Sequence, residues 1–454
     1  MKITLIGQDI PMLLPALLTD LLFAGAERGA VIAVGETNPA MRDLLQGYGD
    51  AVFRKAGLGG GICVTESRKE ALAGADCVIY AGDPQAGSRF FQDRSALGTD
   101  DENDPGLTDQ ARVNGGIEGL LHALRAGDAV LKLCDDMDSA CPGAAVINLG
   151  QPVARTTAVF TNRGYRCFGL GRTPLRGANG VDTYAKRLQI RPENVTAVTA
   201  GLPGFAFLTE MKDGSRDLLG KLQKAVQNGE LGSLAKRWYG WWNAIPVGDV
   251  TDHAEFLPAQ EGYIPDEHPE FGETVEKRKE RILYMNTVRE QGADSRDGAM
   301  AQLLLLSKAP PIRPMKLALA LLRKESTEIP AVARPNGSQR GRQRDGSFER
   351  QRDGSFVLTM PQLAAEAVIE APLVLKDGEE QPREIRVPEA LADILGEVDS
   401  ANRQAAKAAE GDREAVRSYV ETDPALAGLD RLYCMDVVDA LIEMHTDVLT
   451  RFNL

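Results

Sequence analysis

The first residues in the chain whose types suit ligand chemistry are Gly7-Gln8-Asp9-Ile10-Pro11. They join the apolar run KITLI to a helix-like run with Pro11 near its first turn. Backbone N–H groups at such a turn, with the positive end of a helix dipole behind them, can cradle a pyrophosphate. Only the first glycine of a GxGxxG pattern is present, and Asp9 opposes an anion unless it caps the helix. Glu36 closes the run VIAVGE, 29 residues after Gly7. An acidic side chain there accepts hydrogen bonds from a ribose diol and disfavours a 2′-phosphate, which points to NAD. Gly7, Gln8, Asp9, Ile10 and Glu36, with Gly82 at the end of DCVIYAG, form the candidate cofactor set; Glu36 also reads as a solvated strand end.

A second group follows the run VINLG: Asn148 and Gln151, amides able to donate to and accept from a hydroxylated ligand. The same residues also read as a turn and cap before PVARTTAVF. His253, among Asp252, Glu255 and Glu261, is open between a general acid/base and a surface histidine. Trp238, Tyr239, Trp241 and Trp242 suit a core, an interface or a sugar platform. CDDMDSAC reads as a solvated acidic helix end rather than a metal cluster.

Positioning such groups requires a scaffold, and the first half supplies one. Short apolar strands alternate with helical segments, the pattern of a parallel sheet with right-handed crossovers. In such sheets ligands sit beyond the carboxyl ends of the strands. The expected fold is α/β, a doubly wound Rossmann-type parallel sheet over 1–198. A second, α+β and mostly helical substrate domain is expected over 199–454. Its helices are read at Asp217–Asn228, Leu231–Trp242 and Glu273–Arg289, with a flexible loop at 334–356 carrying the repeat QRDGSF.

Composition bounds the partners. The 454 residues are 43% hydrophobic and 26% charged, with net charge −13, which disfavours nucleic acid and anionic membranes. No apolar run is long enough to cross a bilayer, and MKITLIGQDI opens as a strand, so a cytoplasmic protein is expected. Six cysteines without a CxxC pair read as buried thiols, and four histidines are too few for a His-rich metal site.

In order along the chain, the first strand, GADCVIYAG, a loop with Arg89 and Asp93, NGGIEGLLHALR, CPGAAVINLGQPVARTT, FGLGRTP, AGLPGF, TDHAEFLP and GDREAVRSYVETDPAL resemble glycoside hydrolase family 4, from Lys2 to about His445. The resemblance implies an NAD-dependent glycosidase, outside the two-carboxylate scheme. It implies oxidation of a small-molecule glycoside at C3, loss of the C2 proton, elimination of the aglycone, addition of water and return of the hydride. It also implies a dehydrogenase-like NAD domain and a homodimer or homotetramer.

The departures carry their own expectations. Where the family places a Cys and a His as ligands to a divalent metal, usually Mn²⁺, this chain has Gly171 and Gly204. Glycine offers no side-chain donor, so a weak or missing metal site is expected. Arg172, beside the lost Cys position, is the candidate for holding the negative charge. Tyr239 and His253 are the candidate proton-moving groups. Arg89, Asp93, Asn148 and Gln151 are expected to contact substrate, with Asn148 also near the cofactor. The alternatives are an NAD-dependent sugar oxidoreductase and an inactive relative with a binding role.

Overall fold

The computed structural model describes residues 1–25, 30–36, 38–82, 86–97, 113–171, 179–258, 275–291, 312–337, 358–381 and 383–452. Apolar runs too short for a helix become central strands: β1 (Lys2–Ile6), β2 (Ala30–Gly35), β3 (Gly60–Thr65), β4 (Cys77–Tyr80), β5 (Ala145–Asn148) and β6 (Cys167–Gly169). They pair in parallel in the order β3-β2-β1-β4-β5-β6, the expected doubly wound arrangement.

Between them run α1 (Ile10–Phe23), α2 (Pro39–Ala56), α3 (Arg68–Leu72), α4 (Ala86–Ala96), α5 (Gly116–Ala140) and α6 (Val153–Asn162). Asn38 caps α2 as its position before Pro39 suggests, accepting from Ala40 N at 3.0 Å and Met41 N at 3.3 Å. The acidic end of α5 is a set of ion pairs: Asp135 and Asp138 with Arg163, at 2.8 and 2.9 Å.

The sheet does not stop at β6. Helix α7 (Val181–Arg187) leads to β7 (Val195–Leu202), β8 (Phe205–Asp213), β9 (Arg216–Asp217), α8 (Leu219–Gln227), α9 (Ser233–Trp242), β10 (Ile245–Val247) and α10 (Val250–Ala254). Next come α11 (Val275–Gln291), α12 (Pro314–Arg323), β11 (Thr327–Pro335), β12 (Val368–Lys376), β13 (Glu379–Gln381), α13 (Glu389–Ala408), α14 (Arg413–Thr422) and α15 (Arg431–Met444). Strands β11, β12, β7, β8 and β10 continue the sheet antiparallel from β6. A cut at 198/199 therefore falls inside β7. The three helices read after residue 210 are present as α8, α9 and α11.

One row of paired residues crosses nine strands: Ile6, Tyr80, Asn148, Gly169, Ala333, Glu370, Gly201, Ala206 and Val247. Directly paired residues share a face. This face carries α5, α6 and α13 to α15; the other carries α1, α2, α11 and α12.

The loop expected over 334–356 is corrected at its start. Arg334 and Asn336 are buried, and Asn336 Nδ2 donates to Met360 O at 2.8 Å. Residues 338–357, with the repeat, lie outside the described residues. All six cysteines are free thiols, and only Cys63 is exposed. Among the described residues no helix is long and apolar enough to cross a membrane.

Candidate active site

The turn from β1 to α1 is open to solvent and backbone-lined. Gly7 has φ +129°, and a Cβ there would lie 2.0 Å from Ala81 O. Only glycine fits, because the end of β4 presses against the turn. Asp9 N donates to Ala81 O at 3.1 Å, and Ile10 N to Gly7 O at 3.1 Å. The Asp9 carboxylate makes no capping bond to α1. Gln8 is exposed and Ile10 buried; Gly82 is buried behind Tyr80. Glu36 is half-buried at the carboxyl end of β2, where its Oε1 accepts from Asn38 N at 2.8 Å. The neighbouring strand end can receive a diol; at the helix end Asp9 N, Ile10 N, Met12 N and Leu13 N are bonded within the turn, so the positive end of the α1 dipole is what faces an anion.

Asn148 requires a correction. Its side chain is fully buried, Nδ2 donating to Thr156 Oγ1 at 2.8 Å and Thr157 Oγ1 at 3.0 Å, and Oδ1 accepting from Gly150 N at 2.9 Å. With every one of these bonds made inside the protein, it shapes the turn rather than touching a ligand. That turn presents Gln151, half-exposed, ahead of a cis bond to Pro152 and the start of α6. Gly171 lies beside this helix end: a Cβ there would be 3.3 Å from Val153 Cγ2. Arg172 lies outside the described residues.

Arg155, unassigned from sequence, is the hub beneath. It is 2% exposed; Nε donates to Asn402 Oδ1 at 2.8 Å, Nη1 to Gly119 O at 2.6 Å, and Nη2 to Asn114 O and to Tyr419 OH at 3.2 Å. It ties α6 to the start of α5 and to α13 and α14. A lone charge within VARTTAV was the available signal. Arg155→Leu should lower unfolding free energy by about 3–5 kcal/mol, because it strands buried acceptors. Urea denaturation at constant m-value measures this; a loss below ~1 kcal/mol would refute the hub role.

Glu255 clamps the same helix start. Its Oε2 accepts from Val113 N at 3.1 Å, Asn114 N at 2.9 Å and Asn114 Nδ2 at 2.8 Å. Burial, aided by Asp252, pushes its carboxyl up to about 7 against the pull of these donors. Its neighbour Phe256 reaches the turn between β7 and β8, where a Cβ on Gly204 would be 3.5 Å from the ring. Pro203-Gly204 is thus a tight hairpin corner, with Gly204 at φ +82°.

Burial overturns the expectations for His253 and Asp93, and ion pairing that for Arg89. His253 is 1% exposed, Nδ1 facing Asp249 O at 2.8 Å and Nε2 facing Ala206 O at 2.9 Å, and it stacks on Trp238. Burial lowers its pKa, and both nitrogens are occupied, so it is a core residue. Arg89 and Asp93 stand on α4, not in a loop. Asp93 is fully buried against Arg125 at 2.8 Å and His445, and Arg89 pairs with Asp447 at 2.5 Å, with Nη1 3.1 Å from His445 Nδ1. They fasten the C-terminus to α4. Tyr239 packs against the cluster of β8, β10 and α8, and Trp238 and Trp242 are core, leaving Trp241 exposed.

Neither Gly171 nor Gly204 supplies a metal donor. Among the described residues no three His, Cys, Asp or Glu side chains gather as ligands.

Residues 2–175 match the model for "Family 4 glycosyl hydrolase". This segment is similar to glycosyl hydrolase family 4. An alpha-glucosidase of Erwinia rhapontici is 29% identical over 165 residues, 36% of this chain and 35% of that protein. The match thus spans about a third of that curated relative's length. Likeness in fold runs along the whole chain. The putative glucosidase lplD of Bacillus subtilis aligns with TM-score 0.68 and 19% identity over 97% of this chain and 99% of that one. A 6-phospho-alpha-glucosidase from gut microorganisms, solved with NAD and Mn²⁺, aligns at 0.69 and 14%, covering 98% of each. The Thermotoga maritima 6-phospho-beta glucosidase, solved with NAD and glucose-6-phosphate, aligns at 0.65 and 14%, covering 99% of each.

Proposed function

We propose that the chain is an NAD-dependent glycosidase acting by oxidation and elimination without the usual metal. The observation that carries this reading is the β1–α1 turn: a backbone cradle closed by Ala81 O under Gly7, within the family 4 fold. When bound, NAD supplies hydride acceptance from, and return to, the sugar's C3. Gly7 lets the turn close on the end of β4, Gln8 and the positive end of the α1 dipole face the phosphates, and Glu36 accepts from the ribose diol. Gln151 orients the sugar at the start of α6. Arg172, next to Gly171 in sequence, holds the negative charge that develops when the C2 proton leaves. Among the described residues no set of side-chain donors fits a metal. The substrate is a small glycoside, and the assembly is a homodimer or homotetramer.

Glu36→Ala should weaken NAD binding about 10- to 100-fold, the worth of a charge-assisted bond, with the melting temperature unchanged. Calorimetric titration reads it, and unchanged affinity would remove Glu36 from the site.

The mechanism is tested with aryl glucosides and their 6-phosphates in D₂O with catalytic NAD. Deuterium at C2 of the released sugar is expected; cleavage without exchange overturns elimination. EDTA should leave activity intact, whereas strict Mn²⁺ dependence would overturn the metal-free reading. A second reading, a sugar oxidoreductase, is favoured by the two glycines: they remove the donors that would stabilise an enediolate and leave the NAD cradle untouched. It predicts stoichiometric NADH and no aglycone release.

A further inference from the structure

Glu370 interrupts the apolar run VIEAPLVLK of β12. It is 2% exposed, and neither a hydrogen bond nor an ion pair engages its carboxyl among the described residues. Every other member of its row nearby is small or turned to use. Gly201 pairs with it on one side and Ala333 on the other, with Gly169 one strand further. Strand spacing of about 4.8 Å puts Gly169 two strands away, roughly 10 Å. A Cβ on Gly169 would meet Val153 Cγ1 at 2.6 Å, which places α6 over this row. The carboxyl therefore rises from the α6 face, flanked within the sheet by Gly201 and Ala333. Gly169 lies two residues before Gly171, and Gly201 just before the Pro203-Gly204 corner.

We propose that Glu370 is a sugar-binding residue of this site, its carboxyl bonding ring hydroxyls of the bound glycoside from the floor between β6 and β7. This rests on the glycosidase reading above. A buried polar group without a partner is costly, and native proteins keep one where a ligand, ion or water completes it. A hydroxylated ligand suits this carboxyl, because burial alone pushes it up to about 8. At neutral pH it is then protonated, one O–H to donate and a carbonyl oxygen to accept, and a sugar hydroxyl answers both.

The test uses the full chain saturated with NAD, titrated calorimetrically with glucose and with glucose 6-phosphate. Glu370→Gln keeps a donor and an acceptor and should bind within about threefold of wild type. Glu370→Leu keeps the volume and loses both, and should bind about tenfold or more weakly, while NAD affinity stays the same. Thermal melts of both variants without sugar confirm that each is folded; removing the orphan should leave the Leu variant as stable as wild type or more so. Sugar affinity in Glu370→Leu equal to wild type would overturn the proposal alone. Wild type that binds NAD and neither sugar would overturn it together with the glycosidase reading.

Discussion

Gly7→Ala should abolish detectable NAD binding and lower unfolding free energy by about 3 kcal/mol. Two costs combine. The backbone at φ +129° suits glycine, and the new methyl would sit 2.0 Å from a backbone oxygen of Ala81, which no side-chain rotation relieves. Relief requires β1 and β4 to part at the mouth of the cradle, so the loss of binding follows from the loss of shape. Gly57→Ala is the control. Its φ is +62°, but nothing lies within 4 Å of the added carbon. Strain alone should therefore cost it about 1 kcal/mol, with NAD affinity unchanged. Urea denaturation and calorimetry on both variants decide the matter. A Gly7→Ala protein that binds NAD normally would remove the turn from the cofactor site.

The second large effect is a loss of stability as pH rises. Glu370 is pushed up to about 8 and Glu255 up to about 7, each chiefly by burial. Between the ordinary carboxyl range near 4.5 and these values, the folded chain holds protons that the unfolded chain has released. More protons on the folded state mean that stability falls with rising pH across this window, and it levels off above about pH 8. For Glu370 the fall is on the order of 3 kcal/mol from pH 5 to pH 8.5. The reading comes from comparing wild type with Glu370→Gln in urea at both pH values. The variant should be the more stable at pH 8.5, and the two should converge at pH 5. Parallel curves would show that this carboxyl is ionised throughout.

The parallel half of the sheet was legible because its signals are local. KITLI, AVIAVG and DCVIY are unbroken apolar runs flanked by helical segments, and Asn38 before Pro39 announces a cap. Apart from the local β7–β8 hairpin, the antiparallel half was largely read as helical, since its other strands are paired by distant partners. β11 and β12 meet across an intervening segment longer than either, and β7 touches β12 through Gly201 and Glu370. Distance in sequence also hid the corrections at the site. Asp93 is buried by His445, 352 residues away, and His253 bonds Ala206, 47 residues away. Asn148 looked like a ligand contact because Thr156 and Thr157, eight and nine residues later, gave no hint that they would consume its donors. Gly7 and Glu36 stand where the residues placed them, because the end of a parallel strand fixes position from local pattern alone.

The wrapping of the C-terminal helices has a consequence for synthesis. As the chain leaves the ribosome, the first six strands and their crossovers emerge long before the segments that cover them. Leu14, Leu17, Leu45 and Tyr48 await Met285, Val288 and Leu317 on one face; Leu120, Leu124 and Leu131 await Ala405, Tyr419 and Val438 on the other. A nascent chain stalled near residue 198 thus presents two apolar surfaces at once. A truncated gene product of that length should be a client for chaperones, although it contains the whole parallel sheet.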